Sequence, residues 1–173
     1  MVSRGFTLVE LLLVMAIGAI LLVIAIPGYA FILNSSRLSS LTNDLITTIH
    51  FTRSEAIKRN TRVTLCKSSN STIPHASCDS LADWQDGWLV FVDGGVKGVI
   101  DPGDTVLWAQ DRAYSAATIT TRNYSQYLSY LPSGVSQGSN GLANGTMQIC
   151  LAGGRRDIVI NTTGRPRLDT GAC

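Results

Sequence analysis

Residues 6–26 constrain this chain more than any other part of it. From Phe6 to Ile26 run 21 residues whose only charge is Glu10. As an α-helix rising 1.5 Å per residue the run would span roughly 32 Å, the thickness of a bilayer's hydrocarbon core. Arg4 precedes it, on the flank that the positive-inside rule assigns to the cytoplasm. A secretory signal peptide does not fit, because its apolar stretch is about 7–15 residues long and ends at a small-x-small cleavage site. Here the run is longer, and no such site follows it before Pro27. A plain signal anchor accounts for Arg4 but not for Glu10, since an ionisable side chain inside a membrane segment is costly and implies a partner.

The same run accounts for the composition. Charged residues make up 15% of the 173, below the roughly 25% of soluble domains, and mean hydropathy is +0.20. The ~140 residues after the run are enough to bury a core of their own. A net charge of +2 excludes a wholly basic nucleic-acid binder and an acidic tail.

Pro27 predicts a bend near residues 23–27, because its ring and missing N–H break the helical ladder. From Ser36 onward Leu38, Leu41, Leu45, Ile49, Thr52 and Ala56 recur at three- to four-residue spacing, with Arg37, Asp44, Arg53 and Lys58 off that stripe. This is the pattern of a helix laying one face on a core, and Asn60 suits its C-terminal cap. Beyond it the sequence reads as strands at Thr61–Cys66, Trp88–Val92, Thr105–Ala109, Thr146–Leu151 and Ile158–Ile160. Gly-, Asp- and Asn-rich turns separate them, and 134–145 reads as a mobile loop. The expected fold class is α+β: a long N-terminal helix on a mostly antiparallel sheet.

Four cysteines, Cys66, Cys78, Cys150 and Cys173, allow three pairings. Cys66–Cys78 and Cys150–Cys173 close the shortest loops, each worth roughly 3 kcal/mol in the chain-entropy model. Zinc would need closely paired ligands, and His50 and His75 are too isolated to supply them. Gly134-Val135-Ser136-Gln137-Gly138 fits the letters of a nucleophile elbow, but no histidine follows residue 75 and no strand–turn–helix surrounds it. Asp93, Asp101 and Asp104 lie among glycines without the spacing of a calcium loop. Neither an enzyme, a metal site nor a cofactor is expected.

Charge is segregated along the chain. Residues 34–78 carry six Lys/Arg against two Asp/Glu, residues 79–111 one Lys against seven Asp, and residues 112–173 six Arg against two Asp. The last block contains Gly164-Arg165-Pro166-Arg167. Pro166 presses Arg165 toward an extended backbone, in which residues i and i+2 share a face. The two guanidinium groups would then start roughly 6.6 Å apart, about two nucleotide rises along a strand. A proline also belongs at a sheet edge. Arg155 and Arg156, on the preceding turn, would widen the patch, unless Asp157 and Asp169 neutralise it.

Gly5-Phe6-Thr7-Leu8-Val9-Glu10 resembles a type IV prepilin signal. That resemblance implies cleavage after Gly5 by a prepilin peptidase, N-methylation of Phe6, and a Glu10 carboxylate that offsets a neighbouring subunit's amine during filament assembly. Leu65-Cys66-Lys67, Trp84-Gln85-Asp86-Gly87-Trp88 and Thr163-Gly164-Arg165-Pro166-Arg167 extend the resemblance to the FimT/GspH (FimU-like) minor-pilin family. In its FimT members a GRxR motif is associated with DNA capture during natural transformation. The resemblance thus implies Arg165 and Arg167 as DNA contacts, with other major and minor pilins as partners. It implies an inner-membrane helix with a periplasmic domain, then incorporation into a surface pilus. FimU-like pilins that start filaments end in similar Gly-Arg strings, so two other readings stay open: a structural minor pilin that primes assembly, and a GspH-type pseudopilin of type II secretion. The implied organisation is a leader at 1–5, a transmembrane and filament-core helix at 6–33, an amphipathic helix at 34–60, and a disulfide-linked β domain at 61–173.

Overall fold

The structure, a computed structural model, describes residues 7–71, 76–111 and 116–173. Gly5, Phe6 and His75 lie outside the described residues. The chain divides into two compact units, 1–36 and 37–173.

Helix α1 (Leu8–Arg59) runs through both. It is helical without a break through residues 23–27, where Pro27 predicts a bend. In the first unit every large apolar side chain from Leu8 to Ile32 is exposed. A helix that is apolar all round has a bilayer or other helices as its surroundings, not water.

In the second unit the stripe residues Leu38, Leu41, Leu45, Ile49, Thr52 and Ala56 are all buried. The off-stripe positions stay at the surface or reach its edge. α1 ends in a Schellman motif: Asn60 takes φ +50°, its N–H donates to the Ile57 carbonyl, and the Thr61 N–H donates to the Ala56 carbonyl, both at 3.3 Å. Two orphan carbonyls are satisfied in this way, and the chain turns into the β domain.

Two antiparallel sheets follow. The first comprises β1 (Val63–Lys67), β2 (Gly87–Val92), β3 (Thr105–Asp111), β5 (Tyr127–Tyr130) and β6 (Ser136–Gly138), in the order β3-β2-β1-β5-β6. The second comprises β4 (Thr118–Arg122), β7 (Gly145–Leu151), β8 (Gly154–Ile160) and β9 (Pro166–Ala172), in the order β4-β7-β8-β9. One core cluster joins the α1 stripe to Trp88 and Val90 of the first sheet and to Met147, Ile149, Ile158 and Ile160 of the second. The opposite face of β2 packs Leu89 and Phe91 into a smaller cluster with Cys66, Cys78 and Tyr127. Burial on both faces is why Trp88–Val92 is continuously apolar and does not alternate.

Strands β4, β5, β6 and β8 depart from the sequence reading. β4 and β5 carry mixed patterns of Thr, Ser and Tyr that the apolar runs overshadow. β6 falls within 134–145, which reads as a mobile loop, and is ordered by pairing with β5 from Leu128↔Gly138 to Tyr130↔Ser136. β8 also begins four residues before the apolar Ile158–Ile160, so Arg155 and Arg156 lie on a strand and not on a turn.

Candidate functional site

The segment Gly164-Arg165-Pro166-Arg167 forms the end of the β8–β9 hairpin, and β9 is the edge of its sheet. An edge tolerates Pro166, whose missing N–H would break a central ladder. The tip is held by Asn161. Its Oδ1 accepts the Thr163 N–H at 3.1 Å, the Thr163 hydroxyl at 2.8 Å and the Arg165 N–H at 2.9 Å. The Gly164 N–H donates to the Asn161 carbonyl at 2.9 Å.

Gly164 seats the tip on the core. It is buried, with φ +75°, and a Cβ there would lie 2.2 Å from the Gly134 carbonyl oxygen. Only glycine combines that left-handed backbone with so close an approach. The Tyr130 hydroxyl donates to the Gly164 carbonyl at 3.0 Å. Burial pushes the Tyr130 phenol well above its ordinary range, with Tyr124 adding to the shift and Arg53 opposing it, so this donor keeps its proton. From α1, Arg53 donates through Nε to the Gly134 carbonyl at 3.0 Å and through Nη2 to the Thr163 carbonyl at 3.3 Å. Arg53 and Tyr130 are positioning residues that no linear spacing reveals: Arg53 lies 81 and 110 residues from its two acceptors, and Tyr130 lies 34 from its own.

Arg165 and Arg167 are both exposed beside this seat. Arg167 approaches Asp169 at 3.7 Å, with the two side chains 70% and 57% exposed. A pair so open and so long contributes little and is readily exchanged. Arg155 behaves differently: its Nε lies 3.3 Å from Asp157 Oδ2, and its guanidinium covers Gly171. Arg156 has the opposite strand parity, facing the Ile149 side of the sheet, and its Nη1 donates to the Arg155 carbonyl at 3.0 Å. The four arginines therefore do not form one patch. Asp157 and Asp169 are direct cross-strand partners, and they separate Arg155 from the Arg165–Arg167 end.

The disulfides are Cys66–Cys78 and Cys150–Cys173, with Cα separations of 5.7 and 6.0 Å. The second joins β7 to the residue after β9 and so fastens the edge strand that carries Arg167. In the first unit Glu10 is exposed, and its N–H donates to Thr7 Oγ1 at 3.3 Å.

A family model for the type II transport protein GspH matches residues 41–164, from the amphipathic half of α1 through Gly164. A model of the prokaryotic N-terminal methylation motif matches residues 1–26. The chain belongs to the GspH family. Two crystal structures of the type IV minor pilin FimU from Pseudomonas aeruginosa PAO1 share its fold at 19% identity. One, in space group P21, has a TM-score of 0.59 over 80% of this chain and 94% of FimU. The other, in P65, has 0.56 over 78% and 96%. No curated protein matches the chain.

GspH-family proteins are structural pilins and pseudopilins, not enzymes, and the elbow-like string agrees with that. Ser136 is buried in β6, with its hydroxyl donating to the Ala143 carbonyl. The aspartate-rich turns are likewise occupied by donors. Buried Asp93 accepts from Arg62 at 2.7 Å, Thr64 at 2.6 Å and the Gly98 N–H at 2.9 Å. Asp101 and Asp104 accept the N–H groups of Val96, Gly94 and Asp101. Among the described residues no group of His, Cys, Asp or Glu is arranged to hold a metal ion.

Proposed function

We propose that this GspH-family protein is a minor type IV pilin that binds extracellular DNA through Arg165 and Arg167 during natural transformation. One observation carries the reading. Gly164 is locked into the core while Arg165 and Arg167 flank it in solvent, so two cations are held out on a rigid edge. Guanidinium groups presented in this way contact phosphates and position a nucleic acid without reading its sequence. Gly164-Arg165-Pro166-Arg167 also fits, letter for letter, the GRxR motif associated with DNA capture in FimT-like members. In this reading prepilin peptidase cleaves after Gly5, Phe6 is methylated, and Glu10 meets the amine of a neighbouring pilin. α1 anchors the chain in the inner membrane, with the β domain in the periplasm, until it enters the pilus.

A mobility-shift titration of the protein with mixed-sequence DNA tests it. Arg165→Ala/Arg167→Ala is expected to lower affinity at least tenfold and to flatten the salt dependence by about two log–log units, one for each phosphate that the variant no longer neutralises. Unchanged binding by the double variant refutes the site.

The second reading is purely structural, with the protein priming pilus assembly or serving as a pseudopilin of type II secretion. The charge segregation favours it: seven Asp against one Lys in residues 79–111, with net-positive blocks on either side, is a pattern that orients neighbouring subunits. Loss of pili or of secretion on deletion supports this reading, and the two roles are compatible.

A further inference from the structure

We infer that Arg122, on the far edge of the second sheet, is a third phosphate contact, and that the docking face is the outer surface of this sheet at its hairpin end, shaped for duplex DNA. The inference rests on the DNA-binding reading above. Three pairings define a single row across the sheet: Arg122 opposes Thr146, Thr146 opposes Val159, and Val159 opposes Arg167. Directly opposed residues in antiparallel strands share a face. Met147, Ile149, Ile158 and Ile160 point to the core, so the row, one residue out of phase with them, faces outward.

Three strand spacings place Arg122 roughly 14 Å from Arg167 at about 4.8 Å each. Between them lie only the short side chains of Thr146 and Val159, with two long exposed cations as the rims. The minor groove of duplex DNA is about 6 Å wide and the major about 12 Å, and arginine side chains reach inward from both rims. Arg122 and the Arg165–Arg167 pair thus reach phosphates on opposite sides of one groove. Arg122 is exposed and has no ion pair among the described residues, so it holds no competing carboxylate.

Two further features bound the site. The cross-strand pair Asp157↔Asp169 stands on the same face, two residues along each strand from Val159 and Arg167, and repels a backbone that runs further. Arg155, already paired with Asp157, lies beyond that barrier. None of the residues on this face of β4, β7, β8 and β9 is aromatic. The stacking platform that single strands use is therefore missing, and a backbone-only duplex contact remains.

The test uses the full chain in detergent micelles, with a short mixed-sequence duplex and the matching single strand as probes. Arg122→Ala is expected to weaken duplex binding about three- to tenfold and to reduce the salt slope by about one. Arg122→Lys should recover the slope, and Arg155→Ala should change neither quantity. The duplex should compete better than the single strand. If Arg122→Ala binds like the parent while Arg165→Ala/Arg167→Ala loses binding, the hairpin-tip reading stands and this inference fails. If the double variant also binds like the parent, or the parent binds no DNA, both fail. A single strand outcompeting the duplex, or Arg155→Ala equalling Arg122→Ala, overturns the proposed face.

Discussion

Replacing Gly164 by alanine separates two costs that are usually confounded. The backbone there has φ +75°, and the new methyl would sit 2.2 Å from the Gly134 oxygen, 2.9 Å from Tyr130 Cε1 and 3.1 Å from the Ser136 nitrogen. Left-handed backbone costs a residue with a Cβ about 1–2 kcal/mol, and forcing atoms into a filled site adds about 1–3 kcal/mol. The expected loss for Gly164→Ala is therefore about 2–5 kcal/mol. Gly141 supplies the control: it has φ +84° with nothing within 4 Å of its would-be Cβ. Gly141→Ala should lose only the backbone part, about 1–2 kcal/mol. Urea unfolding of residues 37–173, whose core cluster lies wholly within that unit, can be followed by the fluorescence of Trp84, Trp88 and Trp108. With a slope of about 1–3 kcal/mol per molar, Gly164→Ala should lower the midpoint by roughly 1–2 M and the control by less than half of that. Equal shifts for the two variants would refute the close seating of the arginine tip.

Two other perturbations probe the frame that carries the site. Asp93→Ala leaves the Arg62 guanidinium, the Thr64 hydroxyl and the Gly98 N–H without their buried acceptor. It should cost about 3–5 kcal/mol, or ~10–20 °C in Tm, and a shift of only a degree or two contradicts the account. Glu55 accepts from Arg59 at 2.6 Å and from Lys58 at 3.3 Å, and the Arg59 contact foremost holds its carboxyl below the ordinary range. A depressed carboxyl contributes stability above its unfolded pKa of about 4.3 and loses it as pH falls through the folded value. Glu55→Gln should thus flatten the acid side of the stability profile below pH ~4, and an unchanged profile there rules out the linkage.

The legibility of the sequence divides along physical lines. Leu38 to Ala56 could be read directly because a half-buried helix imposes a 3.6-residue period, and all six stripe residues are buried. Trp88–Val92 could be read because burial on both faces leaves a continuous apolar run. Tyr127–Tyr130 and Ser136–Gly138 could not: the first is ordered by pairing with the distant β1 and the second in turn by pairing with the first, and short polar segments carry no local signal of either. The extended edge position of Pro166 follows from its missing N–H. The splitting of the arginines does not, because it depends on the register of β8 against β9, and a shift of one residue would exchange the faces of Arg155 and Arg156. Arg53, Tyr130 and Arg122 lie outside any motif. Only the folded chain brings the first two to the tip and sets the third in a row with Arg167.

The central claim, that Arg165 and Arg167 serve DNA capture and not assembly, is tested most directly in cells lacking the native gene and complemented with Arg165→Ala/Arg167→Ala. Pilus number and DNA uptake are measured in the same culture. The account predicts normal piliation with uptake reduced at least tenfold, in proportion to the affinity that two phosphate contacts supply. Normal uptake in that strain, or loss of pili together with uptake, contradicts it.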